Sequence, residues 1–168
     1  MEKRENEMRK QKGFSLIELL IVVAIILIIA AIAIPNLLRS RIAANEASAV
    51  GSIRTINTSQ VTFSTTYGLG FTNLASLGGP NPCPNPPTAA SGCLLDSVLS
   101  AGTKSGYTFT ATPAGGAGTQ LSPFTTYTTT ADPLTAGQTG TRHFFSDESG
   151  VIRFNATAAA TAADSPLQ

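Results

Sequence analysis

The sequence predicts an α+β fold in which one long N-terminal helix comes first and a region of short strands follows. Residues 19–34 carry no polar side chain, and after Pro35 the chain holds no further proline up to Thr66. From Tyr107 onwards, apolar side chains alternate with threonines, which is the period of a half-buried strand. A helical part followed by a strand-rich part is typical of the α+β class.

The first part of the helix has the length and composition of a membrane span. Residues 14–34 form a stretch of 21 residues, about 31 Å long as a helix, which matches a hydrocarbon core of about 30 Å. Residues 1–12 carry five bases against three acids, and basic flanks stay on the cytoplasmic side. We therefore expect one membrane pass at 14–34, with a cytoplasmic N-terminus and a translocated C-terminal part.

The second part, residues 35–66, is expected to continue the helix as an amphipathic segment. Pro35 removes one backbone donor and should kink the helix without ending it. Gly68 and Gly70 then mark its end. Apolar residues recur at helical spacing and form a stripe on one face, while polar residues can occupy the solvent-facing side, here called the wet side. The apolar stripe consists of Ile42, Val50, Ile53, Ile56 and Val61. The wet side consists of Arg39, Arg41, Glu46, Arg54 and Gln60.

Residues 73–91 are rich in proline and glycine and should form a loop. Of the two cysteines, Cys83 lies within this loop and Cys93 lies two residues after it. An even cysteine count beyond a membrane segment suits an oxidising compartment. We expect one disulfide between them, which would hold a loop that has no regular structure. The alternative is two unpaired thiols.

Four strand-like runs follow the loop. The first is residues 107–112 and a weaker one is 124–130; residues 142–146 and 151–155 flank a four-residue hairpin loop at 147–150. Residues 67–155 should therefore form a globular head with antiparallel strands. Residues 156–168 are of low complexity, mostly alanine and threonine, and are expected to fray.

Composition argues against catalysis and against nucleic-acid binding. Beyond residue 12 the chain has six bases and seven acids, so it lacks the basic surface that nucleic acids need. No nucleophile-base-acid set, phosphate loop or metal cluster is present in the sequence, so no catalytic residue, cofactor or metal is expected. His143 is the only histidine and is expected to be an ordinary strand residue.

Three minor signals, one candidate Ca²⁺ site and two glycosylation sequons, are weak. Asp147 and Glu148 could bind Ca²⁺, but two acids in a tight turn supply too few oxygens and are expected to be turn residues. Asn57 and Asn155 begin glycosylation sequons, which are common by chance.

The N-terminal motif, KGFSLIELLIVVAI at residues 12–25, resembles the class III signal of type IV pilins and pseudopilins. Pro35 falls where that family has its kink-forming proline. The resemblance implies that one long helix packs on a small antiparallel sheet. It also implies that residues 1–13 are a leader, that a prepilin peptidase cuts between Gly13 and Phe14, and that Phe14 is then N-methylated. The cysteine pair departs from the pattern, since many type IVa pilins place their disulfide in a C-terminal loop. The leader begins at Met1 or, in a shorter form, at Met8.

The same resemblance implies a function and its partners. The protein would be a structural subunit of a helical filament, built from inner-membrane subunits by an assembly platform and its ATPase. Copies of itself, the peptidase and methyltransferase, and membrane lipid would be its partners. It would reside in the inner membrane before assembly, and in an extracellular pilus or a periplasmic pseudopilus afterwards.

Glu18 is the one carboxylate at the border of the apolar run. An uncompensated acid in lipid costs roughly 2.5–3.5 kcal/mol, so a partner is expected. The new α-amine of Phe14 on a neighbouring subunit would supply a cation at the same depth. The alternative is an interfacial acid that contacts only lipid headgroups.

Two other functional classes compete with a filament subunit. One is a membrane-anchored binding protein that does not polymerise. The other is a secreted domain released by ordinary signal peptidase after Ala33, because Ala31-Ile32-Ala33 resembles its small-x-small site; the apolar run is longer than the usual 7–15 residues of such a signal.

Overall fold

The computed structural model describes residues 13–167 and confirms the α+β, pilin-like fold. The long N-terminal helix precedes two short helices and a five-stranded sheet. The helices are α1 Leu16–Tyr67, α2 Leu74–Leu77 and α3 Ser97–Ser100, and the strands are β1 Thr103–Lys104, β2 Tyr107–Ala114, β3 Thr126–Pro133, β4 His143–Asp147 and β5 Arg153–Asn155. The leader expected at residues 1–13 lies, except for Gly13, outside the described residues.

The chain divides into two compact units between Leu37 and Leu38. The first unit holds the apolar half of α1. The second, which we call the head unit, holds the remainder of α1 together with the other helices and the sheet. Helix α1 continues through Pro35, as expected, and the kink at that proline stays a prediction.

The sheet is antiparallel throughout, in the order β1-β2-β3-β4-β5. The alternation expected from the sequence is confirmed on β2, where Tyr107, Phe109 and Ala111 are buried. Phe109 lies opposite Ala131 of β3, which lies opposite Phe144 of β4. This apolar row faces α1 and forms the centre of the core.

One face of α1 supplies the other side of the core. Ala49, Ile53, Ile56 and Phe63 are at most 1% exposed, and they recur at the helical period. The predicted apolar stripe included Val61, and this prediction is wrong because Val61 is 58% exposed. The period that passes through Ile53 and Ile56 reaches Phe63 and leaves Val61 on the opposite side.

Two residues assigned to the wet side, Glu46 and Gln60, are buried instead. Gln60 lies on the core face because its side-chain amide is fully paired. It donates to the Thr72 carbonyl at 2.5 Å and accepts from the Thr72 N–H at 2.9 Å. A buried polar group with both partners in place carries little desolvation cost.

Two further expectations are corrected by the structure. The predicted loop contains α2, whose first turn is capped by the Asn73 side chain accepting from the Ser76 N–H. The C-terminal tail does not fray: Phe154 N–H donates to Ser165 O at 3.1 Å and Leu167 N–H donates to Ile152 O at 2.7 Å. Leu167 also packs against the core, so residues 165–167 cover the edge of β5.

Candidate processing and assembly segment

The bond between Gly13 and Phe14 lies just outside the helix. Residues 13–15 have no regular structure, and α1 begins at Leu16 with the Leu19 N–H donating to the Ser15 carbonyl at 3.2 Å. Phe14 is 78% exposed. A protease needs a backbone that is free of helical hydrogen bonds, and this position meets that condition. Cleavage and methylation here stay predictions.

Glu18 lies in the first turn of α1, where the positive end of the helix dipole favours a carboxylate. Its side chain is exposed, and within residues 13–167 no cation is close enough to form an ion pair with it. A countercharge for this carboxylate therefore has to come from outside that part of the chain.

The side chains of the apolar half of α1 are exposed in the part of the chain that the structure describes. Its large side chains from Leu16 to Leu38 are 43–75% exposed, and no residue of the most apolar window of the helix is buried. Among the described residues, α1 is the one helix long and apolar enough to cross a membrane, by length and composition. Water is a poor solvent for such a surface.

The amphipathic half of α1 is tied to the segment before β4 by an ion pair between buried Glu46 and partly exposed Arg142, which the sequence pattern did not predict. Glu46 is 5% exposed. Its Oε1 accepts from Thr141 N–H at 2.9 Å, Thr141 Oγ1 at 2.8 Å and Arg142 N–H at 3.1 Å, and its Oε2 accepts from Arg142 Nε at 2.7 Å. Burial acts to raise the pKa of Glu46, but these hydrogen bonds outweigh it, and the pKa lies below its ordinary value. The signal was present: Glu46 shares its helical face with Ala49 and Ile53.

A second polar link joins α1 to the sheet through Asn57. Its Nδ2 donates to Ser146 Oγ at 2.8 Å, and its Oδ1 accepts from the Tyr127 hydroxyl at 3.1 Å. Burial raises the pKa of Tyr127 to about 12, and the nearby Asp147 and Glu148 act in the same direction. A glycan would attach through Nδ2, the atom that donates to Ser146, so modification of Asn57 would crowd this contact between α1 and the sheet.

Cys83 and Cys93 form the expected disulfide, with Cα atoms 6.2 Å apart. The Cys93 side of the loop is also held by main-chain bonds to α2 and its C-cap. Gly92 N–H donates to Ser76 O at 2.8 Å, and Leu94 N–H donates to Leu77 O at 2.7 Å. The bridge therefore anchors mainly the proline-rich arm that contains Cys83.

His143 lies in a strand, as expected, whereas Asp147 lies at the end of a strand and not in the turn. His143 is a strand residue of β4 whose Nδ1 lies 2.6 Å from Asp132 Oδ1 on the neighbouring strand. Asp147, expected in the turn, is the last residue of β4, and its Oδ1 accepts from the Ser149 N–H of the following turn at 3.0 Å. Within the described part of the chain, no group of three metal-binding side chains comes together.

Two comparisons with known proteins identify the N-terminal segment. A family described as the prokaryotic N-terminal methylation motif matches residues 8–34. The type IV wide pilus major component PilA4 of Thermus thermophilus is 67% identical over 39 residues, which are 23% of this chain and 30% of that protein. The chain therefore carries a prepilin-type signal of the type IV pilin class at its N-terminus.

The match to the relative covers 39 of the 168 residues of this chain. The match spans less than a third of the relative's length, and no solved structure matches the chain. The motif thus fixes the class of the N-terminal segment, whereas the head unit has to be understood from its own residues.

Proposed function

We propose that this protein is a structural subunit of a type IV pilus-like filament, a pilin or pseudopilin, assembled from the inner membrane after leader cleavage and methylation of Phe14. The observation that carries the proposal is the N-terminal half of α1. It matches a methylation motif, and its apolar surface is left uncovered by the described residues.

The apolar helix serves two environments in turn. In the membrane, lipid chains cover residues 14–34 while the backbone satisfies its own hydrogen bonds as a helix. In the filament, the same segments of neighbouring copies cover one another. Apolar area alone gives little preference between lipid and helix neighbours, so a polar contact has to favour the filament.

Glu18 supplies that contact once the leader is gone. Cleavage after Gly13 converts the amide nitrogen of Phe14 into an amine that is positively charged, and methylation keeps it basic. A carboxylate four residues further on, exposed and without a cation among residues 13–167, is then placed to pair with the amine of another copy. The leader prevents this pairing because it removes the charge.

The other segments divide the work of a filament subunit. Residues 35–66 connect the membrane-spanning half of the helix to the globular head, residues 67–155, and residues 165–167 of the tail close the edge of its sheet. Prepilin peptidase and methyltransferase, an assembly platform and an ATPase act on the chain from the inner membrane. The protein's role is structural and not catalytic, and its final location is a surface pilus or periplasmic pseudopilus.

The test is the N-terminus and the assembly state of two glycine variants. A side chain at Gly13 would meet nothing within 4 Å, so Gly13→Leu leaves the fold intact and alters only the peptidase subsite. We expect the wild-type chain in sheared filaments to begin at methylated Phe14, and the variant to stay in the membrane with its leader attached.

Gly51→Ala is the matched control, since a Cβ there also meets nothing within 4 Å, and it should be processed normally. Intact-mass measurement of both pools separates the outcomes. A Gly13→Leu chain that still begins at Phe14 would refute the leader, and a mature chain found only in the membrane would favour a non-polymerising anchored protein. A chain beginning at Ile34 would indicate release by signal peptidase.

A further inference from the structure

An open cleft of about 540 Å³ lies in the head unit, between α1 and the loop that joins β3 to β4. Leu38, Arg41 and Asn45 line it from α1, on one face of the helix. Gln138 and Thr139 line it from the loop. The volume falls within the range of about 300–1,000 Å³ that is usual for small-molecule sites. Because the lining holds one cation and no carboxylate, the cleft suits a ligand that carries negative charge.

The two walls of the cleft are held together by hydrogen bonds that do not use its cation. Asn45 Nδ2 donates to the Thr139 carbonyl at 2.8 Å. Next along the loop, Thr141 N–H donates to Glu46 Oε1 at 2.9 Å. In the described part of the chain, no carboxylate forms an ion pair with Arg41. The cleft is thus preformed with a cation available, so a ligand would lose little affinity to the ordering of its walls.

The helix around the cleft is positively charged. Residues 19–45 contain no Asp or Glu, and their only charged side chains are Arg39 and Arg41. Both arginines would lie on the translocated side of a span at residues 14–34, where bases near a membrane segment are less common than on the cytoplasmic side. A cation in this place is therefore suited to a partner at the membrane surface.

The position of Arg41 along α1 corresponds to the level of lipid headgroups. Arg41 follows Ile34 by seven residues, about 10 Å of helix, and side chains on a helix lean toward its N-terminus. The headgroup layer beside the hydrocarbon core is about 5–8 Å thick, and a long arginine side chain can place its charge there. Leu38, which is 43% exposed, lies about one turn closer to the hydrocarbon.

We propose that the cleft binds the headgroup of an anionic phospholipid, with Arg41 holding the phosphate and the Gln138 amide donating to headgroup oxygens. A zwitterionic lipid fits less well, because its ammonium group would find no carboxylate in the lining. The proposal rests on the membrane span of the proposed function. A bound lipid would hold the head unit at the membrane before assembly, and it would have to leave when the subunit enters a filament.

Native mass spectrometry of the delipidated full-length chain in detergent tests the site. The chain is titrated with phosphatidylglycerol or with phosphatidylcholine of the same acyl chains. We expect phosphatidylglycerol to bind about fivefold more tightly, the factor that one cation contributes near anionic lipid. Arg41→Gln should remove this preference and leave phosphatidylcholine binding unchanged. Equal affinities of the wild-type chain for the two lipids would overturn the proposal.

Arg39→Gln is the matched control, because it removes the same charge and Arg39 does not line the cleft. Two residues correspond to about 200° of helix, so the two arginines lie on different sides of α1. The control should keep the preference for phosphatidylglycerol, and near-ultraviolet circular dichroism of the tyrosines confirms that both variants are folded. Equal losses in Arg39→Gln and Arg41→Gln would show that surface charge, and not the cleft, attracts the lipid, and would overturn the site.

A substitution on the loop side provides an independent test. Gln138→Glu places a carboxylate at the cleft and should weaken phosphatidylglycerol binding by about tenfold, since like charges repel. Gln120→Glu adds the same charge in another exposed turn and should change nothing. Soluble glycerol 3-phosphate should not displace the lipid at equal concentration, because it has no acyl chain for the apolar helix to contact. Displacement would assign the cleft to a free phosphate ester and overturn the lipid.

These measurements use the unassembled chain and are therefore independent of filament formation. A wild-type chain that prefers phosphatidylglycerol but forms no filaments would overturn the proposed function and support the lipid site. Filaments from a wild-type chain without that preference would support the function and overturn the lipid site. An Arg41→Gln chain that keeps the lipid preference but fails to enter filaments would assign Arg41 to a contact with another copy, and it would also overturn the lipid site.

Discussion

Glu46 and Arg142 are joined by a 2.7 Å hydrogen-bonded ion pair between residues 96 positions apart in sequence. The pair connects α1 to the segment that leads into β4. Arg142 also lies over the rings of Phe144 and Phe154, 5.6 and 5.5 Å from their centroids. The guanidinium is thus fixed from two sides, and the carboxylate fixes the helix to it.

Replacing this carboxylate should destabilise the head unit. Glu46→Gln keeps the shape of the side chain but loses its charge-assisted hydrogen bonds. It also places an amide NH₂ against groups of Thr141 and Arg142 that donate hydrogen bonds. We expect a loss of roughly 2 kcal/mol, within the range of about 1.5–3 for hydrogen bonds to charged groups. Thermal unfolding of the detergent-solubilised full chain measures it, and the three tyrosines report on the head because Tyr67, Tyr107 and Tyr127 all lie there.

The control for this prediction is Glu148→Gln, which removes an acid from an exposed turn and should change stability by less than about 0.5 kcal/mol. Equal losses of stability in the two variants would show that the net charge of the chain, and not the Glu46–Arg142 pair, accounts for the effect.

The same carboxylate predicts how stability depends on pH. The pKa of Glu46 in the folded head lies below its ordinary value of 4.5. Its stabilising effect is therefore fully present above that ordinary value and is lost as the pH falls through the folded pKa. Between pH 5 and pH 3, wild-type melting temperatures should fall more steeply than those of Glu46→Gln.

The comparison isolates Glu46 because the other acids with lowered pKa values are present in both proteins. The pKa of Asp96 is lowered by a hydrogen bond from the Leu99 N–H and by Lys104, and that of Asp164 is lowered by hydrogen bonds from Thr161. Parallel melting curves for the two proteins over this pH range would contradict a charged Glu46 in the folded head.

Sequence patterns act within one segment of the chain, and this limits which parts of the structure they can predict. Periodicity along a segment predicted α1 and the buried face of β2 at Tyr107 and Phe109. Periodicity does not identify partners, so the pairing of Gln60 with Thr72 and of Glu46 with Arg142 could not be foreseen. Both residues share the helical face of Ile53, but their polar side chains led to their placement on the solvent-facing side.

Short and compositionally plain segments escaped prediction for a different reason. Helix α2 is four residues long, and its strongest sequence cue is the Asn73 cap. The tail is mostly alanine and threonine, and its order depends on backbone bonds to β5 and on one side chain, Leu167. At the processing segment, the motif identified Gly13, Phe14 and Glu18, whose roles depend on molecules other than this chain.

The disulfide predicts a local effect of reduction. Main-chain bonds hold Gly92 and Leu94 to α2 independently of the bridge, so replacing Cys83 and Cys93 with serine should loosen mainly residues 81–91. We expect a cost of roughly 2–3 kcal/mol, as the chain-entropy model gives for a short loop.

Hydrogen exchange on the double-serine variant measures this effect. Amides from 81 to 91 should exchange faster, whereas those at positions 92 and 94 should keep their protection. Loss of protection throughout the sheet would show that the bridge supports the entire head, contrary to this prediction.

The last prediction concerns Glu18 and filament entry. Glu18→Ala should leave expression, membrane insertion and the head fold unchanged, because the side chain is exposed and alanine makes the helix more compatible with lipid. Incorporation into filaments should fall, since removing one partner of a buried pair costs about 3–5 kcal/mol and this cost recurs with each subunit added. Wild-type and variant chains with distinguishable tags are co-expressed, and their ratio in sheared filaments is compared with that in the membrane pool. Arg54→Ala, on the exposed side of α1 in the head unit, serves as a control and should enter filaments in proportion to its membrane level. Selective exclusion of the Glu18 variant supports pairing with the Phe14 amine, and equal ratios in the two pools would eliminate it, because an acid that contacts only headgroups has no role in the filament core.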